Sequence, residues 1–135
     1  MTFSVVTGTS TGIGLATAVT LARAGHTVYA TMRNPQTGGE ELRAIVEREH
    51  LPLHIAALDV DSNESVRNAF AKILAEAGRI DVLVNNAGIS VLSPVEETPI
   101  ASFRAIMETN YFGALRCIQA VVPGMRERRS VAVDH

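Results

Sequence analysis

The stretch FSVVTGTSTGIG, residues 3–14, decides the fold of this chain. Apart from one serine, its first five residues are aromatic or β-branched, and they predict a short buried strand over 3–7 that stops at Gly8. A turn of small residues follows, and from position 15 to 22 apolar residues recur at helical spacing until Gly25 ends the pattern. A strand that enters a helix through a glycine-rich turn predicts the beginning of a parallel βαβ unit.

The same alternation of strand and helix continues along the chain. Further strands are predicted at 27–31, 53–58 and 80–84, and further helices at 40–49, 62–78 and 100–128. A loop is predicted between the second strand and the second helix, where Asn-Pro and Gly-Gly pairs occur at 34–39. Four strands that alternate with four helices predict an α/β domain with a parallel sheet. Because the strands are continuous apolar runs, we expect helices on both faces.

Composition and charge exclude several classes of protein. The 12 basic and 14 acidic side chains give a net charge of −2, which favours neither nucleic acid nor an anionic membrane as a partner. The single cysteine rules out an internal disulfide framework and a cysteine metal cluster, so we predict no metal site and a cytoplasmic location. No run reaches the roughly 18 apolar residues of a membrane span, and we expect no secretory signal because a basic leading region is missing.

Glycines between a strand and a helix are typical of a phosphate-binding turn. Gly8, Gly12 and Gly14 precede or open the first helix, with the spacing G-x-x-x-G-x-G. The N-terminus of a helix presents unpaired N–H groups and a positive dipole end, and glycines let a pyrophosphate approach them closely. The simpler interpretation is a tight turn packed by small residues.

A competing motif overlaps this turn. Residues 8–12, GTSTG, also match the G-x-S-x-G nucleophile elbow of α/β-hydrolases, with Ser10 as the nucleophile. That elbow needs an oxyanion N–H from an earlier strand-to-helix loop, yet only nine residues precede Ser10. None of the four histidines has a clear reach to Ser10. We therefore expect a dinucleotide site rather than hydrolysis.

The end of the second strand indicates which dinucleotide is bound. In dinucleotide-binding folds an acidic residue about 20 positions past the glycines binds the ribose 2′-OH of NAD. Here the residue 20 positions past Gly12 is Met32, and the first acidic residue of the chain is Glu40, so the acidic residue expected for NAD is absent. Arg33 lies beside the vacant position, and a guanidinium can bind a 2′-phosphate. This predicts NADP(H) in preference to NAD(H), unless Arg33 is a solvated loop arginine.

At this point two motifs carry a family resemblance. TGTSTGIG at 7–14 and NNAG at 85–88 resemble the motifs of short-chain dehydrogenases/reductases, and LDV at 58–60 is similar to the pattern of that family after its third strand. The stretch TNYFGALRCIQAVVPGM at 109–125 is also similar, and the resemblance runs from residue 3 to about 129. It implies a Rossmann-type, doubly wound parallel sheet. It also implies an NADP(H)-dependent oxidoreductase of a carbonyl or alcohol substrate, similar to hydroxysteroid, retinol or ketoacyl enzymes.

The resemblance also implies roles for individual residues. The implied cofactor-binding residues are Gly8, Ser10, Gly12, Ile13, Gly14, Arg33, Asp59, Val60, Asn85, Ala87 and Gly88. The first five would line the pyrophosphate and adenosine side, and Arg33 would meet the 2′-phosphate. Asp59 and Val60 would flank the adenine, while Ala87 and Gly88 would approach the ribose.

Two asparagines complete the set that the resemblance implies. Asn85 would tie the central strands together, and its simpler interpretation is turn chemistry after a strand. Asn110, the one catalytic candidate, would distort its helix and hold a water molecule of the proton relay. Its simpler interpretation is a helix asparagine with a local hydrogen bond.

The chain departs from the family pattern at the catalytic residues. The family uses a tyrosine, a lysine four residues later and an upstream serine, yet here Arg33 follows Tyr29 and Leu115 follows Tyr111 at that spacing. Tyr29 lies in a predicted strand and is expected in the core. Residues 130–133 are at best a stub of a fifth strand, and Asp134–His135 is not expected to replace the acid–base pair. We therefore predict one dinucleotide-binding domain over 1–135, truncated before the catalytic segment and without turnover by itself.

An incomplete sheet would leave apolar surface open. Residues of the last helix, Ile106, Ile118, Val121 and Val122, are the candidates for exposure. Open apolar surface favours association, which predicts a homo-oligomer formed through the helix that contains Asn110. The alternative to an enzyme is therefore a non-catalytic NADP(H)-binding or oligomerisation module, which would bind the cofactor or a full-length homologue.

Overall fold

A computed structural model describes residues 1–129 and 132–134 of the chain. The strands are β1 (Phe3–Val6), β2 (Thr27–Met32), β3 (Leu53–Ala57), β4 (Val82–Val84) and β5 (Val133–Asp134). The helices are α1 (Gly12–Arg23), α2 (Pro35–Gly38), α3 (Glu40–Glu49), α4 (Asn63–Ala77), α5 (Ile100–Met107) and α6 (Ala114–Glu127). A 3₁₀ turn, Val95–Glu97, precedes α5, and a π-helical segment, Glu108–Gly113, joins α5 to α6.

The strands form one parallel sheet in the order β3-β2-β1-β4-β5. This confirms the predicted α/β class and the Rossmann-type order, but the described sheet has five strands where four were counted. The fifth is short, and it joins β4 through bonds from Leu83 N to Ala132 O (3.0 Å) and from Asn85 N to Asp134 O (2.8 Å). Of the predicted stub, residues 130 and 131 lie outside the described residues, as does His135.

Helices cover both faces of the sheet, as predicted for a doubly wound fold. Adjacent residues of a strand point to opposite faces, and Val5 and Val6 are both fully buried. Val5 and Tyr29 pack in a cluster with apolar side chains of α4 and α6, whereas Val6 packs with those of α1 and α3. The prediction that Tyr29 lies in the core is therefore confirmed.

Two local predictions about the helices were wrong. The predicted loop at 34–39 contains the one-turn helix α2, because Asn34 Oδ1 accepts a hydrogen bond from Gln36 N at 3.2 Å and Pro35 occupies the first helical position. The single helix predicted over 100–128 is interrupted by the π-helical segment, so it consists of α5 and α6 on either side of that segment.

The expected exposure of the last helix is corrected by its packing on the sheet and on α4. Val121 is only 4% exposed, and Ile118 packs against the same core cluster. Ile106 and Val122 are half-buried. Cys117 is fully buried on the same face of α6, and burial raises the pKa of its thiol to about 12.

A membrane span needs a long apolar helix, and the described part of the chain contains none.

Candidate functional site

A cleft of about 290 Å³ lies at the carboxyl ends of β1, β2, β3 and β4. In open parallel sheets this edge is where ligands bind. Seven of the predicted cofactor-binding residues line the cleft, namely Gly8, Ser10, Arg33, Asp59, Val60, Ala87 and Gly88. The lining residues to which sequence analysis gave no role are Met32, Asn34, Thr37, Gly38, Leu58, Asp61, Ile89 and Thr109. Met32, Asn34 and Leu58 lie at or within two residues of the ends of β2 and β3, so strand ends were the signal that could have found these three.

The glycine-rich loop, residues 8–14, packs directly on the NNAG motif. Gly8 has φ +68°, and a Cβ at this position would lie 2.8 Å from the Ala87 Cα. A Cβ at Gly14 would lie only 2.0 Å from the Gly8 carbonyl oxygen. A side chain at either position would collide with these atoms, so both positions require glycine for the loop and the NNAG motif to pack this closely.

Thr7 and Asn86 hold these two motifs together, and sequence analysis assigned neither of them such a role. The Thr7 hydroxyl oxygen accepts hydrogen bonds from Asn86 N and Ala87 N, both at 3.0 Å. Asn86 Nδ2 donates in return to the Gly8 carbonyl oxygen at 2.9 Å. The ends of β1 and β4 are thereby fixed as one unit.

Asn85 occupies a different place from the one expected. Its side chain is 8% exposed, and neither polar atom of its amide has a hydrogen-bond partner among the described residues. Its main-chain N–H joins β4 to β5, so the strand-tying contact at this position belongs to the backbone. The side chain that bridges to β1 is that of Asn86, one residue later, because alternate residues after a strand point in opposite directions.

Gly12, Ile13 and Gly14 open α1 and do not line the cleft itself. Ile13 is 78% exposed, and Gly12 has φ +61° with open space beside its Cα. The N-cap residue of α1, Thr11, makes no side-chain capping bond, and the first turn carries no acidic residue. By contrast, Ser62 Oγ caps α4 by accepting a hydrogen bond from Ser65 N. The start of α1 therefore keeps its N–H groups and positive dipole end available to an anion.

The charged residues of the cleft are Arg33 after β2 and two aspartates after β3. Arg33 Nε lies 3.8 Å from Asp59 Oδ1, and the Arg33 side chain is 75% exposed. Asp59 Oδ1 also accepts a hydrogen bond from Asp61 N at 3.0 Å, and Asp61 Oδ1 accepts one from the Thr109 hydroxyl at 2.7 Å. The carboxylates of the cleft thus belong to β3, while the end of β2 contributes a cation.

Asn110 lies in the π-helical segment, which confirms the prediction that its helix is distorted there. Its Oδ1 accepts a hydrogen bond from Ile89 N and its Nδ2 donates to Ile89 O, both at 2.8 Å. A Cβ at Gly88 would lie 3.1 Å from Asn110 Oδ1. These bonds span 21 residues, so they fix the loop after β4 rather than a local turn. The catalytic role of Asn110 stays a prediction.

Comparisons with known proteins agree with this geometry. The sequence model of the short chain dehydrogenase family matches residues 3–133. Retinol dehydrogenase 8 of Bos taurus is 42% identical over 127 residues, covering 92% of this chain and 40% of the relative. Estradiol 17-beta-dehydrogenase 1 of Rattus norvegicus is 39% identical over 134 residues, covering 96% of this chain and 38% of the relative.

A solved structure shows the same likeness in three dimensions. Gluconate 5-dehydrogenase from Burkholderia cenocepacia J2315, in complex with NADP and tartrate, superposes with a TM-score of 0.87 and 32% identity. The superposition covers 98% of this chain and 51% of that one. The chain spans about two fifths of the length of these two curated relatives.

Proposed function

Since the chain belongs to the short chain dehydrogenase family, we propose that it binds NADP(H) for an oxidoreductase that interconverts carbonyl and alcohol groups. Binding of a nicotinamide dinucleotide is general to this family. The observation that carries the proposal is the cleft itself, where the glycine-rich loop, Arg33 and Asp59 meet at the carboxyl ends of the strands. None of the described residues that line the cleft is a histidine, which argues against Ser10 as a hydrolytic nucleophile.

The residues of the cleft fit a dinucleotide in shape and in charge. Gly8 and Gly14 let the glycine-rich loop pack closely against the NNAG motif at the cleft, and the start of α1, which lacks a side-chain cap, would offer N–H donors to the pyrophosphate. Asp59 and Val60 line the cleft and would flank the adenine, and Ala87 and Gly88, which also line it, would approach the ribose. Gly12, Ile13 and Gly14 open α1 and would contribute its backbone N–H groups to the pyrophosphate site.

Preference for NADP(H) rests on the residue that follows β2. A carboxylate there would repel a 2′-phosphate, whereas Arg33 attracts it. The Arg33 guanidinium has five N–H donors, and its contact within the described residues is the 3.8 Å ion pair with Asp59. It can therefore turn toward a phosphate at little cost, since ion pairs between exposed groups are weak.

The nicotinamide, when bound, supplies or accepts the hydride of the reaction. Asn110 would hold a water molecule for proton transfer and keep the Ile89 loop in place. Substrates similar to the steroid, retinol or ketoacyl class are proposed by analogy with relatives such as the two dehydrogenases above. This chain by itself is expected to show negligible turnover, because neither tyrosine is followed by a lysine at the family spacing.

A second candidate function is an oligomerisation module that retains cofactor binding. The π-helical segment and the end of α5 present Met107, Tyr111 and Phe112 at 50%, 52% and 45% exposure. Neighbouring exposed apolar side chains favour association, so a homo-oligomer would form through this part of the helix. Sedimentation of the chain and of a Phe112→Glu variant would test it, with a monomeric wild type as the contrary result.

The proposal of NADP(H) binding is tested by an Arg33→Met variant. Loss of a charge-assisted bond should raise the Kd for NADPH by about 10- to 100-fold and leave the Kd for NADH within about twofold. Arg48→Met is a matched control, because Arg48 is a similarly exposed arginine on α3 away from the cleft. Equal effects of Arg33→Met on both cofactors would contradict the assignment.

A further inference from the structure

The short helix α2 forms the wall of the cleft beside Arg33. Asn34, Thr37 and Gly38 line the cleft together with Arg33. α2 also packs on the glycine-rich loop, since a Cβ at Gly38 would lie 3.1 Å from Ser10 Cβ and 3.4 Å from Met32 Sδ. The position of α2 therefore sets the width of the cleft on this side.

A helix of four residues needs support from outside itself, because one turn is costly to nucleate. Internal support comes from the Asn34 cap and from two backbone bonds, Gly38 N to Asn34 O at 2.8 Å and Gly39 N to Pro35 O at 3.0 Å. External support comes from α3, where Arg43 Nη1 donates to Pro35 O at 2.9 Å and Nη2 donates to Gln36 O at 3.4 Å. An arginine that bonds the carbonyls of the last turn also complements the helix dipole.

Gly39 provides a second, independent sign that this contact is built in. A Cβ at Gly39 would lie 2.7 Å from Arg43 Nη1 and 2.5 Å from Pro35 O. Gly39 has φ −97°, a value that other residues adopt readily, so its backbone conformation does not require glycine. The Arg43 guanidinium occupies part of the space beside Gly39 that a Cβ would need.

We propose that Arg43 is a positioning residue for the 2′-phosphate, acting through α2 on Arg33 and on the wall of the cleft. This inference rests on the proposed NADP(H) function, and Arg43 itself does not line the cleft. Without the two carbonyl contacts α2 would populate open states in which the wall beside Arg33 is lost. The apparent Kd equals the intrinsic Kd divided by the fraction of chains that are competent to bind.

The test measures NADPH and NADH affinity for the full chain and for four variants. Arg43→Met removes the donors, Gly39→Ala crowds both the guanidinium and the Pro35 carbonyl that accepts its hydrogen bond, and Arg43→Lys keeps the charge without the planar pair of donors. We expect all three to weaken NADPH binding about three- to tenfold, as when α2 is competent in one third to one tenth of the chains. NADH affinity should not change, because NADH lacks the 2′-phosphate that this wall is proposed to position. Arg48→Met, on the same helix, is the control and should bind NADPH as the wild type does.

Each other outcome overturns the inference in a distinguishable way. If the wild type binds NADPH and the variants bind it equally well, Arg43 has no positioning role while the proposed function stands. If Arg43→Lys alone binds as the wild type does, charge rather than positioning is responsible. If NADH binding weakens in parallel, the effect is general loss of structure. A wild type that binds no NADPH would overturn the proposed function together with this inference.

Discussion

Two glycines inside helices should respond to the same substitution with opposite signs. Alanine is favoured over glycine in a helix interior by about 0.8–1 kcal/mol. In α6, the nearest atom to a Cβ at Gly124 would be Arg128 Nη1, at an ordinary contact distance of 3.6 Å. Gly124→Ala should therefore raise the free energy of unfolding by about 0.8–1 kcal/mol. In α1, a Cβ at Gly14 would lie 2.0 Å from Gly8 O and 2.4 Å from Asn86 Nδ2, so the loop must move.

The cost at Gly14 follows from these distances. Overpacking costs about 1–3 kcal/mol, and loss of the bond between Asn86 and Gly8 adds about 1 kcal/mol. After the helix-propensity gain, Gly14→Ala should lower the free energy of unfolding by about 1–3 kcal/mol. For 135 residues this corresponds to a Tm lower by roughly 3–10 °C, against a rise of about 3 °C for Gly124→Ala.

Thermal unfolding followed by circular dichroism measures both changes on the unliganded chain. Titration with NADPH should show weaker binding to Gly14→Ala as well, because the displaced segment is the glycine-rich loop. A Gly14→Ala protein as stable as Gly124→Ala would refute the claim that the loop and the NNAG motif are in close contact.

Two further predictions concern buried polar groups. Thr7→Val should lower the free energy of unfolding by about 1–3 kcal/mol, because it leaves two N–H donors of the NNAG motif unpaired. Thr7→Ser keeps the hydroxyl and should therefore retain most of the wild-type stability. Denaturant titration measures both variants. Burial raises the pKa of Cys117 to about 12, so folding favours the protonated thiol, and stability should fall as pH rises above about 8.5 by on the order of 1 kcal/mol per pH unit. Cys117→Ala should flatten that dependence, and an equally steep fall in this variant would assign it to other groups.

The parts of the fold that sequence could predict are those fixed by long, regular patterns. The four main strands are continuous apolar runs, and the helices other than α2 follow apolar stripes, so periodicity located them. The sequence analysis did not predict α2, because four residues are too few to show helical periodicity. The stability of α2 comes from the Asn34 cap and from Arg43 in the next helix. The distortion of the helix at Asn110 was expected from the family resemblance alone, because the apolar pattern over 100–128 did not locate the π-helical segment.

The candidate site shows the same limit at the level of single side chains. The motifs predicted that Gly8, Arg33 and Asp59 would lie in one cleft, because the carboxyl ends of parallel strands share one edge of the sheet. It could not tell Asn85 from Asn86, because the direction of a side chain after a strand depends on where the strand stops pairing. The role of Thr7 was hidden as well, since a β-branched residue at a strand end has an ordinary packing explanation.

The most direct test of the account is calorimetric titration of the wild-type chain with NADPH and with NADH under identical conditions. We predict that both bind at one site per chain and that NADPH binds at least about tenfold more tightly. Binding of neither cofactor, or tighter binding of NADH, would contradict the assignment of the cleft and of Arg33.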